Sequence, residues 1–266
     1  MLPNFLGIGV QRAASTWLHN CLSEHPDVFV PEKKELHFFN AHYENGLAWY
    51  EKQFDSHAGE TAVGEITPSY MHAAPITRIH DCLPDVRLII ILRSPVDRAY
   101  SAYRLLNKQF DGMTFHEACN SSHGGYLTTM SLYAERLTEV FDLFTHDRVK
   151  VFLYDDVSTE PERVLAEVFQ FIGVDSRFQP DSIRTRPNRI IFPKLTRTMQ
   201  MAGLHWGLSL VKASPVGDMI RKWSRRKNGS PAVGNSDFLN RLYAQFDDDI
   251  NTLETLLQRD LSFWRP

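Results

Sequence analysis

The sequence is short of the features that mark several large classes of protein. Its densest apolar run, Leu88 to Leu92, is five residues, against the ~20 that a membrane-spanning helix needs. It has three cysteines, Cys21, Cys82 and Cys119, widely spaced and odd in number. That pattern argues against a disulfide framework, and no pair has metal-binding Cys-x-x-Cys spacing. Its 11 histidines form no His-Glu-x-x-His helix, so no metal site is expected. There is no basic excess: 29 Lys and Arg against 32 Asp and Glu leave a net charge of −3, unlike a protein built to coat nucleic acid. The opening residues have no basic segment ahead of an apolar one, so no secretory leader is expected. These absences together predict a cytoplasmic protein of a reducing compartment, with no nucleic-acid partner and no integral membrane segment.

What is present is the composition of a folded chain, with 43% hydrophobic and 23% charged residues. The pattern alternates strands and helices. Phe5–Val10, Glu60–Ile66, Arg87–Leu92 and Val149–Tyr154 read as short strands. Arg87–Leu92 is continuous and β-branched, as for a strand covered on both faces. Between them, Thr16–Glu24, Pro75–Leu83, Val96–Asn107, Leu132–Phe144 and Glu160–Ile172 read as helices, and Phe238–Leu257 reads as another. The helix over 160–172 places Val164, Leu165, Val168, Phe169 and Ile172 on one face and stops at Gly173. Alternation of this kind predicts a mostly parallel sheet with helices on both faces. One domain over residues 1–266 is expected. It carries an irregular basic insertion from Arg184 to Pro231, a candidate lid or acceptor region.

Two turns at strand ends carry the chemistry. Gly9-Val-Gln-Arg-Ala-Ala-Ser-Thr16 joins the first strand to the first helix, where open α/β sheets bind ligands. A helix N-terminus there offers N–H groups and a positive dipole end to an anion. Arg12 adds a cation with fork geometry, and Ser15 and Thr16 add hydroxyls. A nucleotide triphosphatase would have Gly-x-x-x-x-Gly-Lys-Ser/Thr; Ala14 and Ser15 stand at the identifying positions, which disfavours magnesium-dependent nucleotide hydrolysis. An ordinary capped strand-to-helix turn is the plain alternative. The second turn, Leu92-Arg93-Ser-Pro-Val-Asp-Arg-Ala-Tyr-Ser101, again sets a cation directly after a buried strand. Ser101 follows eight residues later, a little over two helical turns. Taken singly, Arg93 reads equally as a surface ion pair with Asp97, and Ser101 as a solvated helix residue. Together the two turns imply a ligand with two separated anionic groups.

At these residues the sequence resembles the sulfotransferases that use 3′-phosphoadenosine 5′-phosphosulfate (PAPS). The first turn is similar to that family's 5′-phosphosulfate loop, and Leu92-Arg93 to Ser101 to its 3′-phosphate motif. Phe152-Leu-Tyr154-Asp-Asp-Val157 with the helix ending at Gly173, and Arg259-Asp-Leu-Ser-Phe-Trp264 near the end, resemble two further family segments. Glu35-Leu-His37-Phe-Phe39, Gly46-Leu-Ala-Trp-Tyr50 and Gly64-Glu65-Ile-Thr67-Pro68-Ser-Tyr70 are closest to the heparan sulfate and other carbohydrate sulfotransferases.

The resemblance implies a P-loop-like, three-layer α/β/α fold and a transferase that moves a sulfuryl group from PAPS, leaving PAP, with no metal. It places Arg12 at the bridging oxygen. Backbone N–H groups of Ala13, Ala14, Ser15, Thr16 and Trp17 hold the 5′-phosphate, with the Ser15 and Thr16 side chains. It places Arg93 and Ser101 on the 3′-phosphate, Tyr154 near the adenine, and Arg189 as a further 3′-phosphate contact. Glu35 is the implied base and His37 its active-site neighbour and runner-up. The bland readings are a solvated carboxylate in the charged run Glu32-Lys-Lys-Glu35, a core histidine at 37, and a buried tyrosine at 154. The Phe38-Phe39 pair suggests apolar rings beside Glu35. Trp49, Tyr50 and Tyr70 are candidate ring faces for an acceptor, or core.

Four departures stand out: Arg12 for the usual loop Lys, Ala14 for the usual Gly, Ile66 for the Lys of the heparan enzymes, and no late cysteine-bridged loop, its region here being Arg184–Arg197. The favoured acceptor is a hydroxyl or amine of a carbohydrate or glycoconjugate. A lipid or secondary-metabolite hydroxyl is the alternative acceptor. A non-catalytic nucleotide-binding protein and a divergent P-loop kinase are the competing classes.

Overall fold

Five apolar segments set the architecture, because each must be buried and each carries backbone groups that need partners. The computed structural model of the chain describes residues 1–71, 74–184 and 236–266. Strands β1 (Phe5–Gly9), β2 (Val28–Phe29), β3 (Ala62–Ile66), β4 (Arg87–Leu92) and β5 (Val149–Leu153) form one sheet in the order β2-β3-β1-β4-β5. Every pairing is parallel. β1 and β3 are buried at all positions and β4 at all but Arg87, which is why they read as continuous apolar runs. Helices flank the sheet, so the expected P-loop-like α/β fold is the one observed.

The helices are α1 (Ser15–Ser23), α2 (Leu47–Glu51), α3 (Pro75–Cys82), α4 (Pro95–Leu105), α5 (Phe115–Asn120), α6 (Gly124–Thr129), α7 (Ala134–Leu143), α8 (Tyr154–Thr159) and α9 (Pro161–Ile172), with Ser236–Ala244 and Asp247–Leu257 near the end of the chain. α9 buries the five side chains expected of it. It begins with Pro161, whose missing N–H costs nothing in the first turn. It ends at Gly173, where φ of 86° lets the N–H turn back to the carbonyl of Phe169 at 3.0 Å.

The chain divides into two compact units, Met1–Ser94 with Leu132–Arg186, and Pro95–Ser131 with Pro187–Pro266. The first holds the whole sheet. β1 lies at its centre, with β3 on one side and β4 on the other. A chain that leaves β1 in one direction and returns on the other side creates a switch point at the carboxyl ends of the strands. Two hydrogen bonds extend the ladder past those ends. Thr67 N–H donates to Gly7 O at 2.9 Å, and Val10 N–H to Ile91 O at 2.9 Å. The segments leaving β1, β3 and β4 therefore start side by side.

The second unit has its own buried hub. Arg98 is 1% exposed and donates from Nε to Ser131 Oγ at 2.6 Å and from Nη2 to Leu127 O at 2.6 Å. Phe115 packs edge-on against Tyr100 and Phe238. Leu261 and Trp264 of the terminal motif are fully buried.

One expectation needs correction, and two elements were not foreseen. The expected helix over 238–257 is two helices, broken at Gln245–Phe246. Phe246 is fully buried and its N–H reaches back three residues to Tyr243 O. Asp247, Asp248 and Asp249 then start a new helix at the end its dipole favours. β2, two residues long, was not expected, because two residues carry no periodicity. The stretch 38–54, which contains α2, folds into a series of short helical turns.

Gly64 shows how tightly β3 meets β1. It pairs with Phe5, and a Cβ there would run into the Phe5 carbonyl oxygen and ring. Gly64→Ala should therefore destabilise the protein by about 2–3 kcal/mol, read as a lower urea midpoint at constant slope. An unchanged midpoint would contradict this packing.

Candidate active site

Three segments of the first unit meet at the carboxyl ends of the strands. The first is the turn after β1. Arg12 and Ala14 adopt left-handed backbone, with φ of 73° and 67°. Such a conformation between ordinary residues turns successive N–H groups toward one concavity, a form that suits anions. Ala14 pays for it with its Cβ, about 1–2 kcal/mol, which is the physical reason a glycine is the usual residue there. α1 has no side-chain cap, and its first internal hydrogen bond runs from Leu18 N–H to Ala14 O at 3.0 Å. Ala13 and Trp17 are buried, Ser15 is half-buried, and Arg12 and Thr16 are exposed.

The second segment is the end of β4. Arg93 donates from Nη1 to Arg12 O at 2.9 Å, so the two cationic turns are joined directly. Its guanidinium lies 4.5 Å from the Tyr154 ring centroid, a cation–π contact. Tyr133 Oη donates to Arg93 O at 3.0 Å. Arg93 Nε and Ser94 Oγ are buried without a hydrogen-bond partner. Polar atoms left in that state are costly unless something else completes them. Ser101 is half-buried on α4, in the second unit.

The third segment is the strap from Lys34 to His37. Glu35 and His37 are both left-handed, with φ of 63° and 56°, and Leu36 between them is 2% exposed. The buried leucine forces its two neighbours outward. Glu35 Oε1 lies 2.5 Å from Lys34 Nζ, and Oε2 lies 3.5 Å from His37 Nε2. Lys34 Nζ also reaches Ser15 Oγ at 3.3 Å. Ser69 Oγ bonds His37 Nδ1 at 3.3 Å and accepts from Asn40 Nδ2 at 2.9 Å. The expected apolar setting of Glu35 is not observed. Phe38 and Phe39 turn inward, Phe38 stacking on Tyr50 at 4.4 Å and Phe39 meeting it edge-on at 5.2 Å, while the Glu35 carboxylate meets an ammonium and an imidazole.

The strap is held from below by Glu65 of β3, a residue of the Gly64–Tyr70 segment with no role implied by the motif. Its carboxylate is 2% exposed. It accepts from Tyr50 Oη at 2.8 Å, Tyr70 Oη at 2.8 Å, Thr67 Oγ1 at 2.5 Å and Leu36 N–H at 3.2 Å. Tyr50 and Tyr70 are accordingly core residues with their hydroxyls used, while Trp49 is half-buried and stacks on Phe38. A carboxylate within an apolar five-residue strand was the signal available for Glu65. Lys34 was hidden by its charged run. Arg189 and the region 185–231 lie outside the described residues.

Residues 2–203 match the sulfotransferase domain family. The chain belongs to the sulfotransferase family. Heparan sulfate glucosamine 3-O-sulfotransferase 6 of Homo sapiens is 32% identical to it over 181 residues, 65% of this chain and 52% of that protein. Membrane-associated sulfotransferase kil1 of Dictyostelium discoideum is 24% identical over 280 residues, 68% of this chain and 59% of that protein. The chain thus spans between half and three fifths of the length of these two relatives. The crystal structure of a sulfotransferase from Alicyclobacillus acidocaldarius matches over 100% of both chains, with a TM-score of 0.75 and 26% identity. Among the described residues of this sulfotransferase, no helix is long and apolar enough to cross a membrane, and no three His, Cys, Asp or Glu side chains gather as metal ligands.

The donor set suits a sulfuryl donor with two phosphate ends. Guanidinium and hydroxyl groups with unused donors lie at the end of β4, and the uncapped helix start lies at the end of β1.

Burial pushes the Glu65 carboxyl above the ordinary carboxylate range, and the bonds from Thr67, Tyr70, Tyr50 and the Leu36 N–H pull it only part of the way back. A raised folded-state pKa gives stability that is complete below the unfolded carboxylate pKa and is lost as pH rises through the folded one. Glu65→Gln has no such titration. The stability of the variant relative to the parent should therefore improve as pH rises above the ordinary glutamate range, measured by denaturant midpoints at several pH values. A difference independent of pH would show that Glu65 titrates as an ordinary carboxylate.

Proposed function

We propose that this sulfotransferase uses PAPS as donor and transfers its sulfuryl group to a hydroxyl or amine of a carbohydrate or glycoconjugate. The observation that carries this reading is the joining of the two cationic turns through the Arg93–Arg12 hydrogen bond, with unfilled buried donors at Arg93 Nε and Ser94 Oγ. A donor that needs two anionic ends recognised matches two such turns.

In this account the N–H groups at the start of α1 and the Ser15 and Thr16 hydroxyls hold the 5′-phosphate. Arg93 holds the 3′-phosphate, with Ser101 as the second group that the family motif supplies, and Tyr154 sets the edge of the adenine site. Arg189 remains part of the proposal as a further 3′-phosphate contact. The acceptor oxygen or nitrogen attacks sulfur in line, and a new bond to sulfur forms as the bond from sulfur to the bridging oxygen breaks. The acceptor proton passes to Glu35. The electron pair of the breaking bond stays on the bridging oxygen, where Arg12 neutralises it. Arg12 does this as a fixed cation, because a guanidinium does not give up its proton in a protein. Positioning and electrostatics carry the catalysis, as in phosphoryl transfer.

His37, bridged to both Glu35 and Ser69, orients the carboxylate in this account. The left-handed backbone at Glu35 and His37 supports a functional strap, because strain of about 1–3 kcal/mol per residue persists where surrounding structure enforces it. The carbohydrate acceptor rests on the Glu35-x-His37 motif and on the heparan sulfate relatives. The free state of Cys21, Cys82 and Cys119 supports a reducing, cytoplasmic setting.

The test is transfer from sulfur-labelled PAPS to a panel of glycans, lipids and small phenols. Labelled glycan is expected. Glu35→Gln should lower the rate by about 10²–10⁴-fold, the range of general base catalysis, while PAP binding is retained. Transfer to lipid or phenol with none to glycan would replace the acceptor class. No transfer to any acceptor, together with no PAP binding, would overturn the whole reading.

A further inference from the structure

Lys34 bridges two groups that the reaction uses separately. Its ammonium touches Ser15 Oγ in the turn after β1 at 3.3 Å and Glu35 Oε1 at 2.5 Å. Its side chain is 19% exposed, less than that of Glu35 at 32%. The pair is therefore partly shielded from solvent, where a charge–charge contact counts for more than at an open surface. Oε1 is occupied by the ammonium and Oε2 faces His37 at 3.5 Å, so neither oxygen stands open to an acceptor hydroxyl. A resting protein in this arrangement has its base masked.

The same ammonium sits beside the hydroxyl at the first residue of α1. An anion that enters the turn must pass within reach of it. A sulfonate or phosphate oxygen there competes with Glu35 for Lys34, and the anion also gains the α1 N–H groups and Arg12, which Glu35 does not have. Lys34 is also a lysine within reach of a loop whose own cation, Arg12, cannot donate a proton.

We propose that Lys34 is an exchangeable cation: it holds Glu35 in the free protein and passes to the sulfonate and 5′-phosphate end of the donor when the donor binds, releasing Glu35 to accept the acceptor proton. This rests on the proposed PAPS reading and adds an order to it. Base activation follows donor binding, so an acceptor that arrives first meets a masked carboxylate. No bond is made or broken in the exchange; one ion pair replaces another. The structural cause of the arrangement is the left-handed turn at Glu35, which sets its carboxylate and the preceding lysine toward the same point.

The exchange predicts a coupling that can be read by binding alone, without an acceptor. Calorimetric titration of PAPS and of PAP is run on the full chain, on Glu35→Gln, on Lys34→Met and on the double variant, each checked for an unchanged thermal midpoint. Glu35→Gln removes the competitor for Lys34 and should tighten PAPS about 3–10-fold, the range of a partly shielded charge pair. Lys34→Met should weaken PAPS about 10-fold or more and PAP less, because PAP lacks the sulfonate. In the Lys34→Met background, Glu35→Gln should have no further effect on PAPS.

Unchanged PAPS affinity in Glu35→Gln, or the same gain with and without Lys34, would overturn the exchange while leaving the donor site intact. Failure of every form to bind either PAPS or PAP would overturn the donor reading itself, and the exchange with it. Should Lys34→Met unfold, Lys34→Gln takes its place with the same expectations.

Discussion

The buried carboxylate of Glu65 is the constraint on which the site depends. A charge placed at the end of a fully buried strand has to be surrounded by donors, and four are gathered around it. Two come from tyrosines on separate turns, one from the residue two positions further on, and one from the backbone of Leu36. Satisfying Glu65 therefore fixes where the strap crosses the carboxyl end of β3. The strap is further anchored by the buried Leu36 side chain, by Ser69 at His37 and by Ser15 at Lys34, and these hold its two left-handed residues in place. Glu35 and His37 are turned outward as a consequence. A structural need inside the core thus determines the position of the groups proposed for proton transfer.

The same logic applies across the sheet. Parallel strands leave their carboxyl ends on one side, and the order with β1 at the centre brings three of those ends together. The helix start and the guanidinium follow directly from two adjacent strands, β1 and β4; the strap, which follows β2, is brought over β3 by the bond from Leu36 N–H to Glu65. The hydrogen bond from Arg93 to Arg12 O then closes the two cationic turns on each other. The cost is borne locally, in the left-handed Arg12 and Ala14 and in the unfilled donors of Arg93 and Ser94.

Much of this was legible in the sequence, for physical reasons. β4 is read at its observed limits because a strand covered on both faces is a continuous β-branched run, and α9 is read to within one residue because its apolar face repeats at helical spacing and ends at a glycine. Arg12, Glu35, His37 and Arg93 lie in motifs of fixed spacing, and the strand ends bring all four to the same side of one sheet. Other features left no pattern. β2 is too short to show alternation. The break at Phe246 goes with the full burial of its side chain, which local sequence does not announce. Lys34 looked like part of a solvated charge run, since nothing local distinguishes an ammonium in solvent from one aimed at a neighbouring turn. Glu65 offered a hint, a carboxylate in an apolar strand, but its four partners come from residues up to 29 positions away. The strand-end geometry carries no signal for the acceptor.

The central claim is that the two joined turns recognise a nucleotide with separate 3′ and 5′ phosphates. Calorimetric titration with PAP, and separately with ADP and magnesium, tests it most directly. PAP should bind without metal, far more tightly than ADP, and Arg93→Ala should abolish that binding. Absent PAP binding, or a clear preference for the magnesium nucleotide, would contradict it.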